Sequence, residues 1–206
     1  MTPFLVGIAG GSGSGKSTFC KALADELAGH IEVISHDHYY VDRSHLAIED
    51  ANQLNFDHPD SLESTLLLDH LESLRNGHSV EVPVYDFATH SRSNATRTVS
   101  PAAVMLVEGI LLFDDDALAN VFDLRVFIQA TEAERLRRRI RRDQTQRGRT
   151  RESVILQWES SVQAMFDRFV APSQKKSHII IPMDHPNPVA IETISRVLRS
   201  RLVPCK

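Results

Sequence analysis

Short apolar runs alternate along the chain with longer segments in which apolar residues recur every three or four positions. This alternation is typical of a parallel β-sheet whose strands are connected by helices. Five short runs are predicted to form the strands of that sheet, namely Phe4–Ala9, Ile31–Ser35, Ala103–Val107, Leu124–Ile128 and His178–Ile181. The predicted fold class is therefore α/β, with a parallel sheet flanked by helices.

The segments between these runs carry helical periodicity. The first two predicted helices would each bury one apolar face. Phe19, Leu23 and Leu27 form this face in the first helix, and Leu67, Leu71 and Leu74 form it in the second. The second of them spans Ser61–Asn76 and ends at Gly77, since glycine readily terminates a helix. A long helix is predicted over Arg151–Val170, and a further helix closes the chain.

Two features interrupt the regular alternation. Val80–Val84 and Thr96–Val99 predict a small hairpin, which makes an excursion of roughly residues 80–100 from the main sheet. Thr131-Glu132-Ala133-Glu134 predicts a capping box that opens an arginine-rich helix, within a lid of roughly residues 131–150. Because no repeat or linker separates these segments, residues 1–206 are interpreted as a single domain.

Composition narrows the class of protein. The net charge of −4 disfavours a surface that binds nucleic acid throughout, and no run approaches the roughly 20 apolar residues of a membrane span. The start of the chain lacks the features of a signal peptide. The two cysteines, Cys20 and Cys205, lack metal-ligand spacing and suit a reducing compartment. We therefore expect a soluble, cytoplasmic protein without a membrane or nucleic-acid partner.

The segment between the first strand and the first helix matches the pattern G-x-x-x-x-G-K-[ST] of a phosphate-binding P-loop. Glycines let backbone N–H groups surround phosphate oxygens, and the helix directs its positive end at them. Lys16 is expected to reach the β- and γ-phosphates of a nucleotide, and the Ser17 hydroxyl to hold Mg²⁺. The predicted fold is thus that of P-loop NTPases. Its expected ATP-binding residues are Gly10, Gly11, Ser12, Gly13, Ser14, Gly15, Lys16, Ser17 and Thr18.

A carboxylate stands directly after the predicted strand Ala103–Val107. Glu108 would lie at the carboxyl edge of the sheet, where open α/β sheets bind ligands, and could complete a Mg²⁺ site directly or through water. The alternative is a carboxylate in a surface turn. A switch GTPase shares the P-loop, but its guanine-reading Asn-Lys-x-Asp segment does not occur in this sequence.

The same edge argument indicates Asp37, which follows the predicted strand Ile31–Ser35. A hydroxyl that attacks phosphorus needs a carboxylate to orient it and accept its proton, so Asp37 is the predicted general base. The alternative is that Asp37 only caps a helix. His36 and His38 flank it, but their spacing without a partner cysteine disfavours a zinc site.

Arginine occupies nine of the 17 positions from Arg135 to Arg151. The arginines at 135, 138, 139 and 142 share one helical face, and Leu136 and Ile140 form a neighbouring stripe that is expected to pack down. A face made of arginine suits contacts with phosphate, so we interpret it as a lid over ATP. RNA binding is the competing use, which the acidic net charge and the absence of interleaved aromatic residues disfavour. A passive solvated face is the other alternative.

Several further stretches occur in one order along most of the chain. They are Ser35-His36-Asp37-His38-Tyr39-Tyr40, Asn55-Phe56-Asp57-His58-Pro59-Asp60, Pro83-Val84-Tyr85-Asp86-Phe87-Ala88-Thr89-His90-Ser91-Arg92, Val107-Glu108-Gly109-Ile110-Leu111, Arg138-Arg139-Ile140-Arg141-Arg142-Asp143 and Arg147-Gly148-Arg149. Together with the P-loop, this series resembles the uridine kinase (uridine–cytidine kinase) family. The resemblance implies ATP-dependent phosphorylation of the 5′-hydroxyl of uridine and cytidine, with Mg²⁺ as cofactor.

The resemblance also assigns roles to residues. It makes Asp37 the general base, in a Mg²⁺ site shared with Ser17 and Glu108. It implies catalytic roles over the triphosphate for Arg142 and Arg147, beside Lys16. The residues that it implies for nucleoside binding are Asp57 and Arg139 at the ribose, Tyr85, His90 and Arg149 at the pyrimidine edge, Phe87 at its face, and Gln157.

The sequence departs from the family pattern near the expected adenine pocket and subunit contacts. Gln163-Ala164 replaces a Lys/Arg-Pro pair, Ser177-His178 replaces part of Tyr-Ala-Asp, and Met183-Asp184-His185-Pro186 lacks a common glycine. The choice between ATP and GTP, inhibition by UTP or CTP, and the homotetramer that the family suggests therefore stay open. Rival functions are a kinase for nicotinamide riboside, ribulose phosphate or pantothenate, and a nucleotide-dependent switch.

Overall fold

A five-stranded parallel sheet forms the centre of the molecule, in a computed structural model that describes residues 2–27, 29–43, 55–87, 89 and 91–202. The sheet order is β2-β5-β1-β6-β7, so β1 lies in the middle and the P-loop leaves from the centre of the sheet. The strands of the described residues are β1 (Phe4–Ala9), β2 (Ile31–Ser35), β3 (Val80–Asp86), β4 (Ser91–Val99), β5 (Val104–Gly109), β6 (Leu124–Gln129) and β7 (Ile179–Pro182). The predicted fold class is confirmed, and each predicted strand of the main sheet lies within two residues of its observed position.

Helices cover the two faces of this sheet. In chain order they are α1 (Lys16–Glu26), α2 (Ser64–Arg75), α3 (Asp116–Asn120), α4 (Glu132–Gln146), α5 (Arg151–Gln157) and α6 (Pro188–Leu202). The predicted helix over 151–170 continues beyond α5 through two π-helical segments, Trp158–Val162 and Phe166–Val170, and ends in a 3₁₀ turn at Gln174–Lys176. Within the described part of the chain, no helix is both long and apolar enough to cross a membrane.

Two apolar clusters pack on opposite faces of the sheet, as the alternation of side chains along β1 requires. Val6 and Ile8 point toward α1 and α6, in a cluster that also contains Phe19 and Leu23. Leu5 points toward the other face, whose cluster includes the inward leucines of α2, namely Leu67, Leu71 and Leu74. These leucines and the predicted inward residues of α1 are all buried, which confirms both helical faces.

The excursion forms a two-stranded antiparallel sheet of β3 and β4, with an irregular register between Pro83 and Tyr85. Both strands are longer than predicted. Arg92 ties the hairpin to the region after β2, because its Nη2 donates to the carbonyl of Tyr39 at 3.0 Å and its Nη1 lies 2.6 Å from Glu63. The hairpin is thereby held beside Asp37, at the carboxyl edge of the main sheet.

The predicted capping box at the start of α4 is wrong. Thr131 is the N-cap residue, but its side chain makes no capping hydrogen bond. Its backbone N–H and its hydroxyl instead both donate to Oδ1 of Asp184, at 2.8 and 2.7 Å. These two hydrogen bonds lower the pKa of Asp184. The start of α4 is thus fastened to the loop after β7, by a carboxylate that lies 53 residues away in sequence.

Candidate active site

The P-loop, residues Gly10–Ser17, curls from the end of β1 into the first turn of α1. Its bend requires glycine at three positions, because Gly10, Gly13 and Gly15 have φ values of 147°, 78° and 106°. A Cβ atom on Gly13 would also lie only 2.2 Å from the carbonyl oxygen of Arg135. The loop is therefore pressed against α4, which carries the arginine-rich face.

Lys16 is the charged side chain of this loop. It is 7% exposed, and its Nζ donates to the carbonyl of Gly11 at 3.1 Å. Burial lowers the pKa of Lys16, while the nearby carboxylates of Glu108 and Asp37 act in the opposite direction. The ammonium group therefore bonds the loop backbone and interacts with the charges of the two carboxylates predicted for metal binding and base catalysis.

Glu108 brings two hydroxyl groups together at the carboxyl edge of the sheet. Its Oε1 accepts hydrogen bonds from Ser17 Oγ at 3.2 Å and from Ser35 Oγ at 3.0 Å. The backbone N–H of Asp37 donates in turn to Ser35 Oγ at 3.4 Å. Ser35 is a site residue that the sequence analysis missed. Because Ser35 pairs with Glu108 in the register of β2 and β5, the edge argument applied to Glu108 would also have found it.

The oxygen atoms around Glu108 suit a hard divalent cation. Burial raises the pKa of Glu108, the positive charge of Lys16 opposes that rise, and the negative charge of Asp37 adds to it. The described residues contain no group of three or more His, Cys, Asp or Glu side chains able to hold a metal ion. That finding does not disfavour Mg²⁺, which keeps several waters and commonly takes one or two protein carboxylates together with substrate phosphates.

A second group of predicted site residues meets beside Ser12 of the P-loop. Arg139 is 6% exposed, and its Nη1 donates to Ser12 Oγ at 3.0 Å and lies 3.9 Å from Oδ1 of Asp57. Its Nη2 donates to Oε1 of Gln157 at 2.9 Å, and the same oxygen accepts from Nη1 of Arg149. Burial raises the pKa of Asp57, and the charge of Arg139 opposes the rise. Asp57, Arg139, Arg149 and Gln157 thus form one polar cluster, called here the acceptor cluster.

Aromatic rings of the hairpin lie next to this cluster. The ring centroids of Tyr85 and Phe87 are 5.3 Å apart, and Tyr85 also lies 5.2 Å from Tyr40. Tyr85 is 4% exposed, its hydroxyl has no hydrogen-bond partner among the described residues, and burial raises its pKa to about 12. The guanidinium carbon of Arg147 lies 4.5 Å from the ring centroid of Phe87. The remaining predicted nucleoside residue, His90, lies outside the described residues.

Residues 5–190 match the model of one protein family, whose description is "Phosphoribulokinase / Uridine kinase family". The chain belongs to this family. Two curated relatives, each named uridine kinase, come from Staphylococcus haemolyticus and Clostridium perfringens. The first is 40% identical over 197 residues, 95% of each chain, and the second 42% identical over 193 residues, 93% of each chain. Phosphoribulokinase from Rhodobacter spheroides shares the fold with a TM-score of 0.65 at 14% identity, covering 88% of this chain and 70% of that chain.

The family match confirms the resemblance drawn from the sequence. The protein is a kinase of this family, which implies a nucleotide as phosphate donor. The geometry around the P-loop agrees with that class, because transfer of a phosphoryl group depends mainly on positioning and on the stabilisation of negative charge.

The arginine-rich face of α4 turns toward the P-loop of the kinase. Arg135 and Arg139 are 2% and 6% exposed, whereas Leu136 and Ile140 are only half-buried. The guanidinium carbon of Arg135 lies 3.6 Å from the ring centroid of Phe166, in a cation–π contact. Leu136 and Ile140, which are predicted to pack down, are therefore less buried than Arg135 and Arg139. These two arginines find aromatic and polar partners inside, because Arg135 also donates to Gln163 and Arg139 to Ser12 and Gln157.

Asp143 is the second site residue that the sequence analysis missed. It is fully buried at 0% exposure near the end of α4, and four guanidinium groups lie within 4.0 Å of its carboxylate. They belong to Arg139, Arg142, Arg147 and Arg149. All four are residues that the family resemblance assigned to the nucleoside or to the triphosphate.

Arg138 joins three elements on the donor side of the kinase. Its Nη1 donates to the carbonyl of Ser14 at 3.0 Å, and its Nη2 donates to the carbonyls of Met183 and Asp184 at 2.6 and 2.9 Å. The P-loop, α4 and the loop after β7 are therefore connected by one side chain. The loop after β7 is also where the sequence lacks the family glycine, and Arg138 reaches it through backbone carbonyl groups.

Proposed function

We propose that this kinase transfers the γ-phosphoryl group of ATP to the 5′-hydroxyl of uridine and cytidine, giving UMP and CMP. The observation that carries the proposal is the acceptor cluster beside Ser12 of the P-loop, in which Asp57 and Arg139 lie 3.9 Å apart. A ribose diol is suited to a carboxylate next to a guanidinium, since one accepts and the other donates hydrogen bonds. Relatives named uridine kinase, at 40% and 42% identity over nearly the whole chain, support the same acceptor.

The hairpin supplies the surroundings for a flat base. Phe87 would lie against the face of the pyrimidine, while Tyr85, His90 and Arg149 would read its edge. Aromatic walls with a few fixed polar groups are typical of sites for small planar ligands. The nearby Gln157 would hold Arg149 and Arg139 in place, because its Oε1 accepts a hydrogen bond from both.

Asp37 is the proposed general base. It follows β2 directly, its backbone is fixed by Ser35, and the hairpin that carries the base-reading residues lies next to it. A carboxylate at this position can orient the 5′-hydroxyl and accept its proton as the new phosphate ester bond forms.

Charge stabilisation would come from residues on both sides of the P-loop. Lys16 would neutralise the β- and γ-phosphates, and Arg142 and Arg147 would lie over the triphosphate. Ser17, Asp37 and Glu108 would hold Mg²⁺, which when bound neutralises phosphate charge and helps to orient the donor. The lid residues would exclude water, which limits the unproductive hydrolysis of ATP.

ATP is the proposed phosphate donor and GTP is the alternative, because the sequence departs from the family pattern near the expected adenine pocket. The resemblance to uridine kinases favours a homotetramer that acts on small molecules. The composition favours a cytoplasmic protein with neither nucleic acid nor membrane as partner. Size-exclusion chromatography with light scattering would measure the oligomeric state directly.

The release of ADP from ATP and Mg²⁺ tests the proposal. Uridine, cytidine, nicotinamide riboside and ribulose 5-phosphate are added in separate reactions, beside one reaction without acceptor. We expect uridine and cytidine alone to stimulate release. Stimulation by cytidine alone would support the same reaction class with cytidine as the only acceptor of the two. If neither pyrimidine nucleoside stimulates ADP release, the proposed substrate is wrong.

A further inference from the structure

The carboxylate of Asp143 lies where four arginine side chains converge. Its Oδ1 is 2.8 Å from Nε of Arg142 and 3.9 Å from Nε of Arg147. Its Oδ2 is 3.6 Å from Nη1 of Arg149 and 3.7 Å from Nε of Arg139. Only the contact to Arg142 is within hydrogen-bond distance, so the other three guanidinium groups are held mainly by charge.

The backbone of Asp143 holds the same group of residues. Its carbonyl accepts hydrogen bonds from the N–H groups of Arg147 and Arg149, at 3.2 and 3.1 Å. The chain turns between them at Gly148, which has a φ of 62°. The side chain and the backbone of one residue thus fix the tip of the lid relative to α4.

The charges in this group do not balance. Asp143 faces four guanidinium groups, and Asp57 adds a second carboxylate at Arg139 alone, so positive charge stays in excess. A carboxylate at 0% exposure would be costly to bury without these guanidinium groups. The excess positive charge suits an anion with several oxygen atoms, as a triphosphate has. The four arginines therefore form an array, called here the arginine array, that is built for more negative charge than Asp143 supplies.

The arginine array also reaches both substrates of the proposed reaction. Arg139 and Arg149 belong to the acceptor cluster, where they share Oε1 of Gln157. Arg147 lies over the ring of Phe87 in the hairpin. Arg142 and Arg147 are the residues proposed to contact the triphosphate. Among the residues that the structure describes, Asp143 alone has a carboxylate within 4.0 Å of all four arginines of the array.

We propose that Asp143 is a positioning residue, which gathers the arginine array and occupies the place of phosphate oxygens until the nucleotide binds. The proposal rests on the proposed function for the roles of Arg142 and Arg147. Two consequences with opposite signs follow from it. Without the carboxylate, guanidinium groups are freed from a competing anion, so a polyphosphate should bind more tightly. The same groups are no longer aligned, so the transfer step should slow.

The first test compares wild-type protein with the Asp143→Asn variant, using inorganic tripolyphosphate as the probe in isothermal titration calorimetry. We expect the dissociation constant for tripolyphosphate to fall by about three- to tenfold, and more at low salt than at high salt. In the ADP-release assay with uridine, kcat should fall by about 10- to 100-fold, because misplaced charged groups stabilise the transition state poorly. Asp143→Glu, which keeps the carboxylate, should recover a large part of kcat.

Arg141→Gln is the matched control. Arg141 is exposed on the same helix, and its substitution removes one positive charge from the lid. It should leave kcat near the wild-type value and should not tighten tripolyphosphate binding. If the role of Asp143 is purely structural, Asp143→Asn should bind tripolyphosphate more weakly than the wild-type protein. Its kcat should then fall only in proportion to the loss of folded protein. That pattern, or an unchanged kcat, would overturn the proposal.

A measurement on the wild-type protein covers the case in which Asp143→Asn does not fold. The NMR signal of the Arg142 Nε–H group should move when tripolyphosphate is added, because the group exchanges its bond to Asp143 for a phosphate oxygen. A signal that stays in place at saturation would contradict the proposal. The binding measurements use no nucleoside, so failure of the proposed function would show separately, as wild-type protein that uridine does not stimulate.

Discussion

The hydroxyl of Ser17 donates to Oε1 of Glu108 at 3.2 Å, although the two residues are 91 positions apart in sequence. They meet because β1 and β5 are neighbouring parallel strands, with Ile8 opposite Glu108 in the register. The first turn of α1 and the end of β5 therefore lie at the same edge of the sheet. This relationship places two of the proposed metal ligands, Ser17 and Glu108, next to each other.

We expect Glu108→Gln to raise the Mg²⁺ concentration needed for half-maximal activity by about 10- to 100-fold. The amide carries no negative charge, and its single carbonyl oxygen cannot replace both carboxylate oxygens. Titrating Mg²⁺ at saturating ATP and uridine measures the effect. Glu72→Gln, on the exposed surface of α2, is the control for the same chemical change and should leave the Mg²⁺ requirement unaltered. An unaltered requirement in Glu108→Gln would remove Glu108 from the metal site.

We expect Asp37→Asn to lower kcat by about 10²- to 10⁴-fold, because the amide cannot accept the proton of the 5′-hydroxyl. Uridine binding, measured by calorimetry without nucleotide, should change little, since the amide can still accept a hydrogen bond from the hydroxyl. Asp25→Asn, at an exposed position on α1, should keep full activity. If Asp37→Asn also keeps full activity, Asp37 is not the base.

The main sheet could be predicted from the sequence because its strands are short apolar runs, each followed by a turn or a helix. The P-loop then located the donor site, since its glycines are required by backbone angles that other residues avoid. Glu108 and Asp37 could be placed at one edge of the sheet by topology alone. The same reasoning would have found Ser35, which ends β2 opposite Glu108.

Contacts between distant segments could not be predicted in this way. Thr131 looks like a capping-box residue, yet its hydroxyl donates to Asp184, which is brought near by the pairing of β6 with β7. The role of Asp143 depends on the turn at Gly148, which brings Arg147 and Arg149 back over the end of α4. Helical periodicity indicated which arginines share a face, but it could not show which carboxylate they surround.

We expect Gly13→Ala to abolish nucleotide binding or to destabilise the fold by more than about 2 kcal/mol. The new Cβ would be 2.2 Å from the carbonyl oxygen of Arg135, and the φ of 78° is unfavourable for alanine. Gly77→Ala is a matched control, because Gly77 has a similar φ of 87° but nothing within 4 Å of the added Cβ. It should cost only the backbone strain, about 1 kcal/mol. Equal costs in chemical denaturation would show that the P-loop is not pressed against α4.

The stability of the fold is expected to depend on pH through His36, which is 0% exposed beneath Gly109. Burial lowers the pKa of His36 from its ordinary value of 6.5 to about 4. Between these two values the unfolded chain binds more protons than the folded protein. The free energy of unfolding should therefore be highest above pH 6.5 and should fall as the pH is lowered toward 4, by up to about 1.4 kcal/mol per pH unit.

Urea denaturation at several pH values, without nucleotide or divalent cations, measures this slope. His36→Gln should be less stable at pH 7, because Nε2 of His36 lies 3.2 Å from Ser64 Oγ in a packed site. Its stability should nevertheless fall less steeply between pH 6.5 and 5, since the group that must be protonated on unfolding is gone. His30→Gln, at an exposed position, should keep the wild-type slope. If His36→Gln keeps that slope as well, His36 is not the residue whose burial makes the fold sensitive to acid.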